Sequence, residues 1–119
     1  MTILNEGLNR IRDLLFDDIN KGQLGESGTA PQASDTGLGT AVSSTLLAVD
    51  TKTKTDKQLK IDYILPSTGG TSTTFKEFEL QRSTATTVNY DRIVFTGIDF
   101  TQNGTQDLII SKKYFFRSV

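Results

Sequence analysis

The stretch Leu59-Lys60-Ile61-Asp62-Tyr63-Ile64-Leu65 decides the fold class. Leu59, Ile61, Tyr63 and Leu65 alternate with Lys60, Asp62 and Ile64, and a period of two sets successive side chains on opposite faces of an extended chain. The residues therefore form a strand with one buried face. The same reading extends outward. Of eighteen threonines, twelve lie between Thr45 and Thr96, and β-branching at that density favours extended backbone throughout. Upstream, Thr45 to Thr53 reads as a first strand with Leu47 and Val49 on one face. Downstream, Pro66-Ser67-Thr68-Gly69-Gly70 is a turn cluster, and Thr73 to Arg82 is a third strand with Phe78 and Leu80 inward. Phe75 is out of phase with that pair, and a bulge between Phe75 and Phe78 would restore its inward direction.

Asp91 to Phe100 gives a fourth strand. It is apolar on both sides at Ile93, Val94, Phe95 and Ile98, which predicts the middle of the sheet or coverage by the helix. Asn103-Gly104 predicts a two-residue hairpin into a fifth strand, Gln106 to Phe116, with Leu108, Ile110, Tyr114 and Phe116 in phase. Short connections make antiparallel pairing the expectation. At the other end, Leu4, Leu8, Ile11, Leu15 and Ile19 recur at helical spacing, predicting a helix over residues 3–20 with Thr2 as N-cap and Gly22 at its stop. Ile3, Leu14 and Phe16 fall outside that stripe and widen the apolar face, so a helix-mediated subunit interface is one reading, beside a helix that covers a single core. The expected fold is mainly β within the α+β class. It is an antiparallel five-stranded meander or small β-sandwich (residues 45–117) with one N-terminal amphipathic helix, all in one domain over residues 1–119.

Between helix and strands lies GQLGESGTAPQASDTGLGTAVSS, Gly22 to Ser44. A connection of that length without secondary structure is uncommon in a compact domain unless it binds, packs on a neighbour or stays mobile. Its small, hydroxylated residues carry no catalytic group, so it points to assembly. The chain has no Cys and no His, which removes disulfides, thiolate nucleophiles, the usual neutral-pH base and the commonest zinc ligands. A net charge of −1 without a basic block disfavours nucleic acid. Glu6, Arg10 and Arg12 interrupt what a signal peptide would need, and no run is apolar enough to span a bilayer, so synthesis and folding in the cytoplasm are expected.

Other candidate sites have simpler readings. Asp13, Asp17 and Asp18 lack the Gly-punctuated loop of a calcium site and read as a solvated face. Asn103-Gly104-Thr105 fits a glycosylation pattern, but the turn already explains it. Lys52, Lys54 and Lys57 read as protection of a sheet edge. The glycines at 22, 25, 28, 37 and 39 match no phosphate loop. Tyr63, Tyr90 and Tyr114 read as core or cross-strand packing rather than a sugar platform. No catalytic, cofactor or metal residue is expected.

The helix LNEGLNRIRDLL, the segment with Gly28-Thr29-Ala30-Pro31 and Ser34-Asp35-Thr36-Gly37-Leu38-Gly39, and the strand motifs KIDYILPSTGG, FKEFEL and YDRIVF occur in an order that resembles small virion proteins of tailed viruses. Glu79 stands where that pattern has a glycine. The resemblance spans nearly the whole chain. It implies a non-enzymatic virion protein of the capsid surface, tail, baseplate or fibre, homo-oligomeric and in contact with other virion proteins, without nucleic acid or membrane. Gly28, Thr29, Ala30, Pro31, Ser34, Asp35, Thr36 and Leu38 would form a contact arm ordered on assembly, with Asp35 and Thr36 bonding local backbone. The alternative is a receptor- or glycan-binding module using loops Ser67 to Thr73 and Ser83 to Asn89.

Overall fold

The computed structural model describes residues 2–118. Leu59, Ile61, Tyr63 and Leu65 are all buried, alternating with half-buried neighbours along strand Gln58–Leu65. In chain order the elements are α1 (Asn5–Asp18), β1 (Lys21–Gly25), a 3-10 turn (Ser43–Thr45), β2 (Leu47–Ala48), β3 (Thr51–Thr55), β4 (Gln58–Leu65), β5 (Ser72–Arg82), β6 (Val88–Asn89), β7 (Ile93–Thr101) and β8 (Leu108–Phe115). β4 is flanked by β3 and β8 in one antiparallel sheet. β5 is the spine of the other: β1, with β2 outside it, lies along one edge, and β6 and β7 share the opposite edge. The arrangement is mainly β and antiparallel, with the expected N-terminal helix.

The sheets meet across one core. Leu24, Phe75, Phe78 and Leu80 from one sheet, the four β4 residues from the other, and Ile19 beyond the helix are all buried in it. Tyr63 and Phe78 pack edge to face, with ring centroids 5.1 Å apart. Tyr63 keeps its hydroxyl satisfied inside the core by donating to the Thr45 carbonyl.

Several expectations change. The five-stranded meander gives way to two sheets, because the expected first strand breaks near Val49 and Asp50 into β2 and β3, one in each sheet. β7 pairs with β5 alone and so lies at an edge; β5, not the 91–100 strand, is the middle. The Asn103-Gly104 hairpin does not form between paired strands, since β7 pairs with β5 and β8 with β4. Gly104 does adopt positive φ (+86°). The segment 102–107 is a corner that carries the chain from one sheet to the other. It docks on the second such corner, 66–71, where Gln102 Nε2 donates to the Pro66 and Thr68 carbonyls at 2.8 and 2.7 Å. The register does shift between Phe75 and Glu77, but the extra residues lie on β7 rather than on the strand of Phe75 where the bulge was expected: Phe95, Thr96 and Gly97 stand opposite Lys76.

The helix is shorter than expected at both ends. Leu4 rather than Thr2 occupies the N-cap, without a side-chain bond, and the helix stops at Ile19 rather than at Gly22. Gly22 belongs to β1, where a Cβ would stand 2.6 Å from Tyr63 Cδ2 and 3.1 Å from the Phe78 ring. Its small size serves close packing rather than helix termination. Leu8 and Ile19 are buried and Leu15 packs on the core, while Leu4 and Ile11 face outward. Lys52 donates to the Phe16 and Ile19 carbonyls, meeting the negative end of α1 and covering part of the β3 edge.

Candidate functional site

The second face of the β5 sheet is polar and yet buried. Phe78 and Leu80 point into the core, so Glu77, Glu79 and Gln81 must point the other way, where Gln23 of β1 joins them. All four are buried. The cover is the segment 26–42, which fills most of the expected arm. Rather than extending from the domain, it leaves β1 and returns beside it, through a bridge between Gly25 and Ala41 and a bond from Val42 N–H to the Leu24 carbonyl at 3.0 Å. Thr45 fastens the return: its hydroxyl accepts from Leu24 N–H at 2.9 Å and donates to the Val42 carbonyl at 2.7 Å.

Glu77 holds this loop. Its carboxylate accepts from the backbone N–H groups of Ser27, Gly39 and Thr40 at 2.8, 2.8 and 2.9 Å, and from Arg92 Nε at 2.8 Å. Glu77 has 0% exposure and the Arg92 side chain 6%. Burial opposes ionisation of Glu77, but the bonds from Thr40, Arg92, Ser27 and Gly39 outweigh it and hold the carboxyl below its ordinary value. Arg92 also reaches Asp35 at 3.2 Å. Asp35 in turn accepts from Gln32 N–H at 3.0 Å, so it bonds local backbone as expected. Thr36 contributes its carbonyl instead, which accepts from Asn89.

Glu79 lies beside this network under Gly37 and is in a different state. Burial pushes its carboxyl up to about 7; Gln81 partly opposes this, and Asp91 and Glu77 add to it. Oε1 accepts from Gln81 at 3.0 Å, and Oε2 has no partner among the described residues.

Gly28, Thr29, Ala30, Pro31, Ser34, Asp35 and Thr36 are exposed on the loop, and Leu38 is half-buried. Two shallow clefts flank them and share Arg92: about 210 Å³ between Pro31–Ala33 and Asn89–Asp91, and about 420 Å³ between Ser27 and Ser34–Gly39. The Glu77 and Asp35 carboxylates are engaged by backbone and guanidinium donors, and the arrangement presents a fixed polar surface. Among the described residues no group of three or more His, Cys, Asp or Glu could hold a metal.

Of the expected helix interface residues, Ile3 and Leu14 lie at the surface and Phe16 does not. Ile3 and Leu14 are exposed (40% and 50%). Phe16 packs against the core instead, with Lys52 and Lys54 over its ring at 5.0 and 4.7 Å. Asp13 pairs with Arg12 and Lys54, and Asp18 with Arg82. The loops assigned to glycan binding, Ser67 to Thr73 and Ser83 to Asn89, lie at opposite ends of the eleven-residue β5. With roughly 3.3 Å per residue they stand about 30 Å apart and cannot line one pocket.

Sequence reasoning missed Glu77, Arg92, Glu79 and Gln23. The available signal was Lys-Glu-Phe-Glu-Leu-Gln, where polar residues alternate with core residues on the strand that turns out to be central. No protein-family model matches the chain, and no curated protein or solved structure shows significant similarity to it.

Proposed function

We propose that this chain is a non-enzymatic structural subunit of a tailed-virus virion, with the 26–42 loop as a contact surface repeated between subunits on a capsid or tail. One observation carries the reading: a fully buried carboxylate is committed to fixing the backbone of a loop whose outward residues are small and hydroxylated. Burying a charge is costly and is tolerated where it is fully bonded. Here it makes the loop a preorganised surface, which lowers the ordering cost of each contact. The loop is thus held before assembly, unlike an arm ordered by it. Gly28 to Pro31 and Ser34 to Gly39, which carry part of the resemblance to virion proteins, lie on this loop and support the same reading.

The test is co-expression with head and tail proteins of a tailed virus, comparing the native chain with Thr29→Arg and Ser34→Arg. These variants should melt as the native protein does and lose co-purification. A stable monomer with no affinity for other virion proteins would sink the proposal, as would specific, saturable glycan binding by that monomer.

A further inference from the structure

α1 carries two apolar stripes, and the fold uses one. Leu8 and Leu15, with Ile19 beyond them, face the core. Leu4, Gly7, Ile11 and Leu14 recur at spacings of three, four and three along the neighbouring face, the interval of a helix-pairing seam. Leu4 is 71% exposed, Leu14 50% and Ile11 38%. Gly7 has no side chain, and a Cβ there would stand 3.2 Å from Ile3 Cγ2, so Ile3 continues the apolar face over Gly7.

We propose that a second copy of this chain docks antiparallel on this face of α1 about a two-fold axis near Asn9. Leu4 and Leu14 are equidistant from Asn9, and so are Gly7 and Ile11. The axis therefore sets Leu4 against the partner's Leu14, and Ile11 against the partner's Ile3 where it lies over Gly7, each contact occurring twice. The cleft of about 360 Å³ beside Leu14, lined also by Leu15, Asp17, Asp18 and Tyr90, lies where the partner's Leu4 arrives.

Charge selects this occupant. Glu6 and Arg10 lie on the flank of the stripe that faces away from the core, and among the described residues neither forms an ion pair. An antiparallel pair brings like flanks together. Arg10 then stands within about 3 Å, measured along the axis, of the partner's Glu6, an offset that an arginine side chain spans. A parallel pair would set this flank against the partner's opposite flank and leave Glu6 and Arg10 unmatched. A strongly acidic or basic partner would leave one of the two residues unmatched. This contact rests on the assembly reading, as one of its repeated contacts, but it can fail separately.

The experiment is sedimentation of the full chain over a concentration series, with folding checked by thermal melting. The native chain should form dimers as concentration rises. Leu14→Glu should weaken dimerisation at least ~10-fold. Arg10→Glu and Glu6→Arg should each weaken it, and the double variant should restore it to within ~3-fold of the native value, a pattern that a general folding defect would not produce. The chain has no cysteine, so a mixture of Leu4→Cys and Leu14→Cys chains should oxidise to a crosslinked pair while Leu14→Cys alone should not. A dimer indifferent to Leu14→Glu overturns the helix pairing and leaves the assembly reading standing. A chain that is monomeric throughout yet co-purifies with other virion proteins does the same, and one that does neither overturns both.

Discussion

Glu77→Gln tests the loop clamp most directly. The substitution keeps the shape but removes the charge opposite Arg92, whose side chain is 6% exposed. It also turns one of the two accepting oxygens into an amide that faces a backbone donor. Oε2 accepts from both Ser27 and Thr40, while Oε1 accepts from Gly39 and Arg92. Whichever way the amide is placed, two donors lose their acceptor. Breaking a buried ion pair from one side costs about 3–5 kcal/mol, because the remaining charge stays desolvated. For a domain of this size that corresponds to roughly 10–25 °C in melting temperature. Urea unfolding gives the free energy. Amide hydrogen exchange locates the loss, which should fall on Ser27, Gly39 and Thr40 and leave β4 slow. Replacing both partners, Glu77→Leu with Arg92→Met, should cost less than the two single changes added, since no lone buried charge remains. A loss under ~1 kcal/mol, or unchanged exchange at the three amides, would refute the clamp.

The remaining expectations concern pH, packing and the corner. Glu79 has its folded pKa raised to about 7, so unfolding releases its proton and stability should fall as pH rises from the unfolded value, about 4.5, to 7. Glu77 is depressed, so its contribution is present above about 4.5 and lost as pH falls through its folded value. Stability should therefore peak near pH 4.5–5 with respect to these two groups, and Glu79→Gln should flatten the upper limb and gain on the order of 1–3 kcal/mol at pH 8; chemical denaturation across pH checks both. Gly22→Ala should cost roughly 1–3 kcal/mol by forcing Tyr63 and Phe78 apart, whereas Gly28→Ala, whose nearest neighbour would be Lys76 at 3.5 Å, should change stability by under ~0.5 kcal/mol. Gln102→Ala removes the bonds to Pro66, Thr68 and Thr71 N–H and should cost about 1–2 kcal/mol in urea unfolding, with faster exchange at Thr71.

What could be read from sequence divides along a physical line. β4 and β8 were legible because each buries one face, and a period of two then shows directly. β1 was not. Lys-Gly-Gln-Leu-Gly holds one apolar side chain, and its glycines answer to Tyr63, Phe78 and Thr40, contacts made only after folding. Asn103-Gly104 correctly marked a local turn with positive φ, but which strand each arm then joins is a long-range choice that the turn does not make. β7 read as central because Ile93, Val94 and Phe95 are all apolar. In the fold these three are half-buried on an edge strand whose register shifts between Val94 and Ile98. The outward residues of the 26–42 loop were legible as a surface, while the carboxylate that fixes them lies fifty positions from Ser27.

The composition of that loop follows from the face it covers. A central strand that points Glu77, Glu79 and Gln81 away from the core cannot be covered by an apolar layer, which would leave a buried charge without donors. Backbone N–H groups are the donors least demanding of space, provided the covering chain comes close and leaves its amides out of any helix or sheet. Both conditions select glycine and small residues. A Cβ at Gly25 would stand 2.6 Å from the Thr40 carbonyl, and one at Gly39 would stand 2.7 Å from Ser27. The amides of Ser27, Gly39 and Thr40 are free for Glu77 because none of the three lies in a strand. A Gly- and Ser-rich tract, the composition of flexible linkers, is therefore also what a carboxylate clamp requires. Acidic residues at alternate positions of a central strand distinguish the clamp from the linker.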